Sequence, residues 1–484
     1  MTRPSVVVIG GGISGLAAAW ELSGGEAGPD DQTPRIELIE GDDRLGGALA
    51  TTTFAGRTID LGADGFLARR PEALTLVREL GWQDRLEDIA VSGSSIWLHG
   101  ALHELPSGMI LGVPTSSKMV RSVKGLGWRA RLGALRDELL AKRMSIGEDI
   151  SIGEILRTKL GPQLAYTFIE PMVGGIQAGR IDELSAMSVF PSLLEAARQG
   201  GSLMKSLRKL SIPAQAPAVA AAVGPAGPLF CSLTSGVGSL AQELGRRLSA
   251  RGVVVRTGVD VTALRRSPSA NYPWEVDTAT TTTPANALII TTPAQVSARL
   301  LDHLSPAFEA LQSISTAAAA MITFSIARDD VALPEHGTGV LVPLGTQWSG
   351  EGSMMVTAIT LLDRKWPRLE RDGDVLLRAH VGRSDDARWM ALSDEDLVTR
   401  VTSELGVLLP GFSMPAESLV QRWQPGLPQY YVGHHKVVER ARAAGAPLAL
   451  ALAGNSYDGV GVPASIGSGR AAATEIRARL LSRG

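Results

Sequence analysis

Cysteine is almost absent from this chain of 484 residues, where Cys231 stands alone. A single thiol excludes an internal disulfide framework and a cysteine-cluster metal site, and no metal centre is expected. Cys231 reads as a small apolar core residue. Long hydrophobic runs are missing as well: no stretch approaches the roughly 18 apolar residues of a transmembrane helix. The Ala-rich patches Ala218–Ala222 and Ala317–Ala320 are far too short. Met1-Thr2-Arg3-Pro4 leads into a brief apolar run that ends in glycines, which does not read as a signal peptide, so a soluble cytoplasmic protein is the default. An excess of one charge is also lacking. A formal net charge of -2 gives no global reason to expect nucleic acid or an anionic membrane as partner. Lysine is scarce beside arginine, and Ala and Gly are abundant, a bias that suits a GC-rich bacterial genome and says nothing about activity.

Glycine is what the chain has in quantity, and its placement is informative. Near the N-terminus Val6-Val7-Val8-Ile9 runs into Gly10-Gly11-Gly12-Ile13-Ser14-Gly15, an Ala-rich helix follows, and Glu40 closes a second strand. Glycines at 10, 12 and 15 permit a tight turn, close approach of backbone N–H groups to a pyrophosphate, and close helix–strand packing. The pyrophosphate then sits at the positive end of the helix dipole. Glu40 is placed to bind both hydroxyls of a ribose, which argues against a 2′-phosphate there. A lone G-x-G-x-x-G is weak, but strand, turn, helix, strand and acid in this order read as dinucleotide binding.

Arg44-Leu45-Gly46-Gly47 with Glu40 gives E-x3-R-x-G-G, the second glycine signature of the glutathione-reductase-like FAD proteins. At the other end, Leu448 to Ala453 is an apolar strand running into Gly454-Asn455-Ser456-Tyr457-Asp458-Gly459-Val460-Gly461-Val462-Pro463. A helix opening near Ala464–Ile466 would point its N-terminus at the N1–C2=O edge of a flavin. Either end alone suggests a nucleotide. Together they suggest a long two-headed cofactor, non-covalently bound FAD.

Length suits two or three domains. The expected fold class is α/β (α+β, multidomain): a discontinuous glutathione-reductase-like Rossmann FAD-binding domain, a mixed-sheet substrate domain and a helical insertion. Arg57–Gly62 reads as a short strand, and Ser95–Pro106 as a β-hairpin turning at His99-Gly100. From about Ser116 to Lys209 the character is helical and, early on, basic (Lys118, Arg121, Lys124, Arg129, Arg131, Arg136, Lys142, Arg143), a solvated face or one for a membrane surface or anionic ligand. Pro213 to Pro228 is an Ala/Pro linker. Ser235 to about Ala250 opens a helix, and Val253–Arg256, Val259–Leu264 and Ala287–Thr292 read as strands. The expected division is 1–92, 227–300 and 426–484 for FAD, 93–112 and 301–425 for substrate, and 113–226 for the helical unit.

Further segments give a resemblance. They are Asp60-Leu61-Gly62-Ala63-Asp64-Gly65-Phe66-Leu67, Leu102-His103-Glu104-Leu105-Pro106, Phe168-Ile169-Glu170-Pro171-Met172-Val173-Gly174-Gly175-Ile176-Gln177-Ala178-Gly179 with Glu183-Leu184-Ser185, and Trp423-Gln424-Pro425-Gly426-Leu427-Pro428-Gln429-Tyr430 with Gly433-His434. With the glycine ends, the chain resembles the FAD-dependent protoporphyrinogen/coproporphyrinogen oxidases over nearly its whole length. The resemblance implies FAD contacts at Gly10, Gly11, Gly12, Ile13, Ser14 and Gly15, at Glu40, Gly41 and Ala48, at Gly62, Ala63, Asp64 and Gly65, at Val261 and Trp423, and at Val460, Gly461 and Val462. Arg44, Gly47, Gly454 and Asn455 complete the cofactor set from the glycine segments. Trp423 reads equally well as a core aromatic.

The family often has Tyr-Ala-Gly-Asp where this chain has Gln177-Ala178-Gly179-Arg180, so Arg180 is either a base for a substrate carboxylate or a plain surface residue. Protoporphyrinogen-using relatives commonly carry an Arg where Ser94-Ser95 stand, which makes the chain more like the Gram-positive coproporphyrinogen-using branch. Arg69 and Arg70 then become the candidates for binding propionates. The resemblance implies hydride transfer from a bridging methylene to flavin N5, with O2 reduced to H2O2, and no catalytic side-chain base. Gly174 and Gly175 suit close backbone approach to the ring. Alternatives are protoporphyrinogen IX oxidation, a flavin amine oxidase or carotenoid desaturase, and, from another class, a non-catalytic binding protein like the GDP-dissociation inhibitors. Peripheral membrane contact, docking on the next haem-pathway enzyme, and a monomer or homodimer all stay open.

Overall fold

The computed structural model describes residues 3–140, 144–210, 229–269, 271–348 and 352–482. Lys142 and Arg143 of the basic stretch and the Ala/Pro linker from Pro213 to Pro228 lie outside the described residues.

A five-stranded parallel sheet gathers stretches that are far apart in the chain. Its order is Val254–Arg256, Arg35–Ile39, Ser5–Ile9, Ala287–Ile290, Leu450–Leu452. The strands are short apolar runs because both faces are covered. Val6, Val8, Leu38 and Ile289 pack under the helices Ile13–Leu22, Ser239–Ala250 and Val462–Leu481. Val7, Ile9, Leu288 and Ile290 face the opposite side, toward Trp274, Val276 and the helix Ala294–Leu301. Since every strand runs the same way, the loops after Ile9, Ile39, Arg256, Ile290 and Leu452 emerge at one edge, where open α/β sheets bind their ligands.

The strand expected at Val259–Leu264 is Val261–Arg266, and it belongs to a separate antiparallel sheet with Trp274–Thr278 and Thr282–Ala285. Its β-branched residues suit either setting, and only the partner strands decide which.

A mixed seven-stranded sheet follows the order Glu417–Pro428, Thr316–Ala327, Asp374–Val381, Val356–Leu361, Gly339–Leu341, Ser95–Leu98, Ala101–Glu104. Alternation along Asp374–Val381 sends Val375, Leu377, Ala379 and Val381 into a core with the helix Asp394–Leu408. Leu376, Arg378 and His380 therefore face the other way, toward the first domain. Leu376 joins Phe54, Ile59 and Trp366 in a small core between the two units. The expected hairpin turns at His99 and Gly100, both with positive φ. The helical unit carries its own core, from Val120, Ile155 and Leu156 to Phe168, Leu193 and Leu207.

Candidate cofactor and substrate site

The N-terminal glycine turn is built as its sequence demands. Gly10 has φ of +105°, and a Cβ there would lie 2.6 Å from Thr291 Oγ1, in the loop after the neighbouring strand. A Cβ on Gly15 would collide with the Gly10 carbonyl, so the helix can begin this close to the strand only with glycine. Gly12 faces open space: a Cβ there would meet nothing within 4 Å. Gly12 is also the N-cap of Ile13–Leu22 and supplies no side-chain cap, which leaves the first N–H groups of the helix for a ligand.

Glu40 accepts from the N–H of Gly11 and, at 2.9 Å, from that of Asp42. Its carboxylate thus stands at the mouth of the glycine turn. The second glycine segment lies directly on the first, with the Gly46 N–H donating to Gly11 O at 2.8 Å. Arg44 folds back on its own turn and donates to the carbonyls of Gly47 (2.6 Å) and Leu49 (3.3 Å). Gly258 and Val259 run alongside Asp42 and Glu40 through backbone hydrogen bonds of 2.7 and 2.9 Å, which brings Val261 to the same rim as Gly41.

The C-terminal helix starts at Val462, earlier than expected, with Gly461 as an N-cap without a side-chain bond. It crosses the first helix at Ser14, whose hydroxyl donates to Ser465 O at 2.9 Å. A Cβ on Gly469 would strike the Ser14 carbonyl, so the helices touch backbone to backbone. Two uncapped helix N-termini, at Gly12 and Gly461, are therefore held side by side.

Ala48 and Gly62 are packed so closely that a Cβ on Gly62 would meet the Ala48 carbonyl, and it would lie 3.3 Å from Trp423 Cζ2. The Trp423 indole donates to Leu61 O at 3.3 Å, so this aromatic stands over the Gly62 turn and is only half-buried. Ala63 is exposed at that turn, and Gly65 packs on Trp366, with a Cβ there 2.7 Å from the ring.

Electrostatics sharpen around this turn, through residues that sequence reasoning missed. Asp64 pairs with Lys365 at 2.8 and 3.0 Å and accepts from the Trp366 indole at 3.2 Å. Burial would push its carboxyl up, but the charges of Lys365 and Arg378 with these hydrogen bonds outweigh it and hold the pKa at about 2. Asp60, one turn earlier, is pushed up to about 6 by burial, opposed by the Gly238 N–H and Arg368. His380 is held down at about 4, first by burial and then by the Arg378 guanidinium; its Nε2 lies 3.0 Å from Thr360 Oγ1. Lys365, Arg378 and His380 carry no local sequence signal. Strand alternation would place Arg378 and His380 on one face, but not show what that face meets.

The substrate-side residues are spread more widely. Arg69 is exposed and forms no ion pair among the described residues; Arg70 is exposed and lies 3.3 Å from Glu72. Glu72 in turn lies against Gly467 of the C-terminal helix. Gly174 is buried, with a Cβ there 3.2 Å from Gly179 O, whereas Gly175 is exposed to open space.

Arg180 is paired within the protein. Its Nε donates to Glu170 Oε1 at 2.6 Å and its NH1 to Asp385 Oδ2 at 2.7 Å, so its charge is already matched inside the protein. Glu170 is 1% exposed and has to have a counter-charge. Arg180 borders a cavity of about 590 Å³ between the hairpin turn at His99, the Tyr166–Glu170 turn and residues 343–347, which touches none of the glycine-loop residues.

A strand-edge crevice gripped by two glycine-capped helices, with an acid on the ribose side and no Cβ in the way, fits FAD. The fold and site define a dinucleotide-binding flavoprotein. The family model for flavin-containing amine oxidoreductases matches residues 13–477, and the chain belongs to that family. It is 31% identical to a coproporphyrinogen III oxidase of Bacillus subtilis over 99% of both chains, and 34% identical to one of Mycobacterium bovis over 98% of both. A crystal structure from Exiguobacterium sp. 255-15 covers 99% of this chain and 100% of its own, with TM-score 0.83 and 29% identity.

Proposed function

We propose that this chain is an FAD-dependent coproporphyrinogen III oxidase of haem biosynthesis, with O2 as acceptor and H2O2 as by-product. The observation that carries the reading is end-to-end similarity to relatives of that name, coupled to a crevice that fits FAD. The FAD unit would comprise 1–92, 227–300 and 426–484, the substrate unit 93–112 and 301–425, and the helical unit 113–226.

When bound, FAD supplies the hydride-accepting atom. The chain's residues hold and orient. Gly12 and the start of Ile13–Leu22 present N–H groups to the pyrophosphate, and Glu40, held by the Gly11 N–H, presents its carboxylate to the ribose. Gly62 to Gly65, Trp423 and Val460 to Val462 border the flavin end. Arg69 is free to meet a substrate propionate, and Arg70, only loosely paired, can join it. Arg180 is the weaker candidate for that task, its Nε and NH1 already being paired with Glu170 and Asp385. Gly175 leaves room for a macrocycle to approach the backbone.

No helix among the described residues is long and apolar enough to cross a membrane. A cytoplasmic location, a monomer or homodimer, and contact with the next pathway enzyme belong to the proposal. So does peripheral membrane contact, which the exposed Trp128, Leu132 and Leu139 beside Arg129 and Arg131 support.

The test is steady-state oxidation of coproporphyrinogen III and protoporphyrinogen IX, followed by porphyrin fluorescence. Coproporphyrinogen III should be preferred. Arg69→Ala and Arg70→Ala should each raise its KM about tenfold, the order expected for a lost charge-assisted hydrogen bond. Preference for protoporphyrinogen IX would sink the substrate choice, and unchanged KM in both variants would sink the anchor assignment.

A further inference from the structure

We propose that Tyr430 and His434 are positioning residues for the flavin-side loop. They form a stacked pair, outside the glycine motifs, that fixes the turn Asn455–Gly459 and so sets where Val460–Val462 and the start of the C-terminal helix stand. The proposal rests on the cofactor assignment and not on the porphyrinogen reading.

Both rings are buried, and they stack with centroids 4.1 Å apart at 23°. The Tyr430 hydroxyl donates to Asn455 O and accepts the Gly459 N–H at 2.8 Å, so one oxygen joins the two ends of the turn. His434 Nε2 lies 2.9 Å from Ser456 O; the partner is a carbonyl, so this nitrogen carries the proton. Within the turn itself the only backbone bonds are those from the Tyr457 and Asp458 N–H groups to Gly454 O, at 3.0 and 3.3 Å. Gly459, at φ of +120°, gives the turn freedom that its own bonds do not remove. The conformation is therefore imposed from outside: Arg442 and Ser468 hold the Asp458 carboxylate, Ser297 meets the Tyr457 hydroxyl and Ala294 the Ser456 hydroxyl, while Tyr430 and His434 take the backbone groups of Asn455, Ser456 and Gly459.

The same stretch reaches the substrate side. Gln429 Nε2 donates to Gln177 O at 2.8 Å, and the Ser185 N–H donates to Tyr430 O at 2.8 Å. Tyr430 thus holds the flavin loop with its side chain and the segment beyond Gly174 and Gly175 with its backbone.

The experiment uses the full-length FAD-bound protein and the variants Tyr430→Phe, His434→Leu and His434→Gln. Trp274→Phe serves as a control, because it removes a buried hydrogen bond (to Leu448 O, 2.8 Å) away from the turn. The rate of FAD release on dilution is read from flavin fluorescence, together with the flavin midpoint potential and the melting temperature. Tyr430→Phe and His434→Leu should release FAD about tenfold faster, the order expected when a buried donor or acceptor loses its partner, and should shift the potential. His434→Gln, which keeps a side-chain N–H, should recover most of the His434→Leu loss. Native release rates and potentials in Tyr430→Phe and His434→Leu would overturn the proposal. So would equal acceleration by Trp274→Phe at the same drop in melting temperature. Neither outcome touches the substrate assignment, which rests on the turnover assay.

Discussion

Lys365→Met probes the electrostatics of the Gly62–Gly65 turn most directly. Lys365 Nζ contacts both oxygens of Asp64, and the two side chains are only 18% and 17% exposed. Burial alone would raise the Asp64 pKa, yet Lys365 and Arg378 bring it to about 2, against an ordinary 3.8. That gap corresponds to about 2–3 kcal/mol of folded-state stability. For an acid whose folded pKa is depressed, the contribution is complete above the unfolded pKa and is lost as pH falls from 3.8 toward 2. In Lys365→Met, Asp64 keeps the Trp366 N–H and the Arg378 charge, so part of the stabilisation survives. The expected cost is about 2 kcal/mol at neutral pH, below the range for a fully buried charge stripped of its partner. Asp64→Asn in the same background should restore most of it, giving a coupling energy of about 2 kcal/mol in the four-protein cycle. The assay is denaturant unfolding of the FAD-bound protein at pH 7 and about pH 3, followed by flavin fluorescence, which reports on the site itself. At the lower pH the Lys365 effect should shrink. A coupling under about 0.5 kcal/mol, or a cost equal at both pH values, would refute the reasoning.

His380 gives a signature of opposite origin. A base whose folded pKa is lowered from 6.5 to about 4 adds stability as pH rises through that window, so native protein should exceed His380→Gln by up to about 3 kcal/mol more at pH 7 than at pH 4; a pH-independent difference would exclude it. Gly15→Ala places a methyl on the Gly10 carbonyl and must push the first helix off its strand. The protein should purify with little absorbance near ~450 nm, at a stability cost of about 1–3 kcal/mol, and full flavin occupancy would show that the turn can relax. Arg180→Ala should destabilise the protein by about 3 kcal/mol while leaving the coproporphyrinogen KM unchanged, because it strands the buried Glu170 rather than a substrate. Adding Glu170→Gln should rescue stability in thermal unfolding; a raised KM with intact stability would return Arg180 to the substrate.

Which parts were legible in sequence follows from the range of the forces involved. The cofactor ends could be read because they are local. A tight turn and a helix opening two residues after Gly11 are fixed by backbone sterics within a few residues, and the strand-end acid follows one strand later; Gly10, Gly12, Gly15 and Glu40 stand where such a turn needs them. The hairpin at His99-Gly100 was legible for the same reason. The pairing of Arg180 was not legible because its partners, Glu170 and Asp385, lie ten and more than two hundred positions away. The strand Val261–Arg266 was found, but not the sheet it joins, since β-branched residues specify a strand without naming its neighbour.

By itself, then, the sequence determined that both ends of the chain carry strand–glycine turn–helix units of the kind that bind a dinucleotide and, through its middle segments, what family the chain resembles. Tertiary structure alone decided which charges meet at the Gly62–Gly65 turn: Lys365 pairs with Asp64, and Arg378 acts on it by its charge, because the second sheet and its connections pack against the first domain. It also decided that Tyr430 and His434 bond the C-terminal turn, and that of the candidate arginines Arg69 has no ion pair among the described residues. Pairing of side chains distant in sequence is set by packing between domains, and no local propensity encodes it.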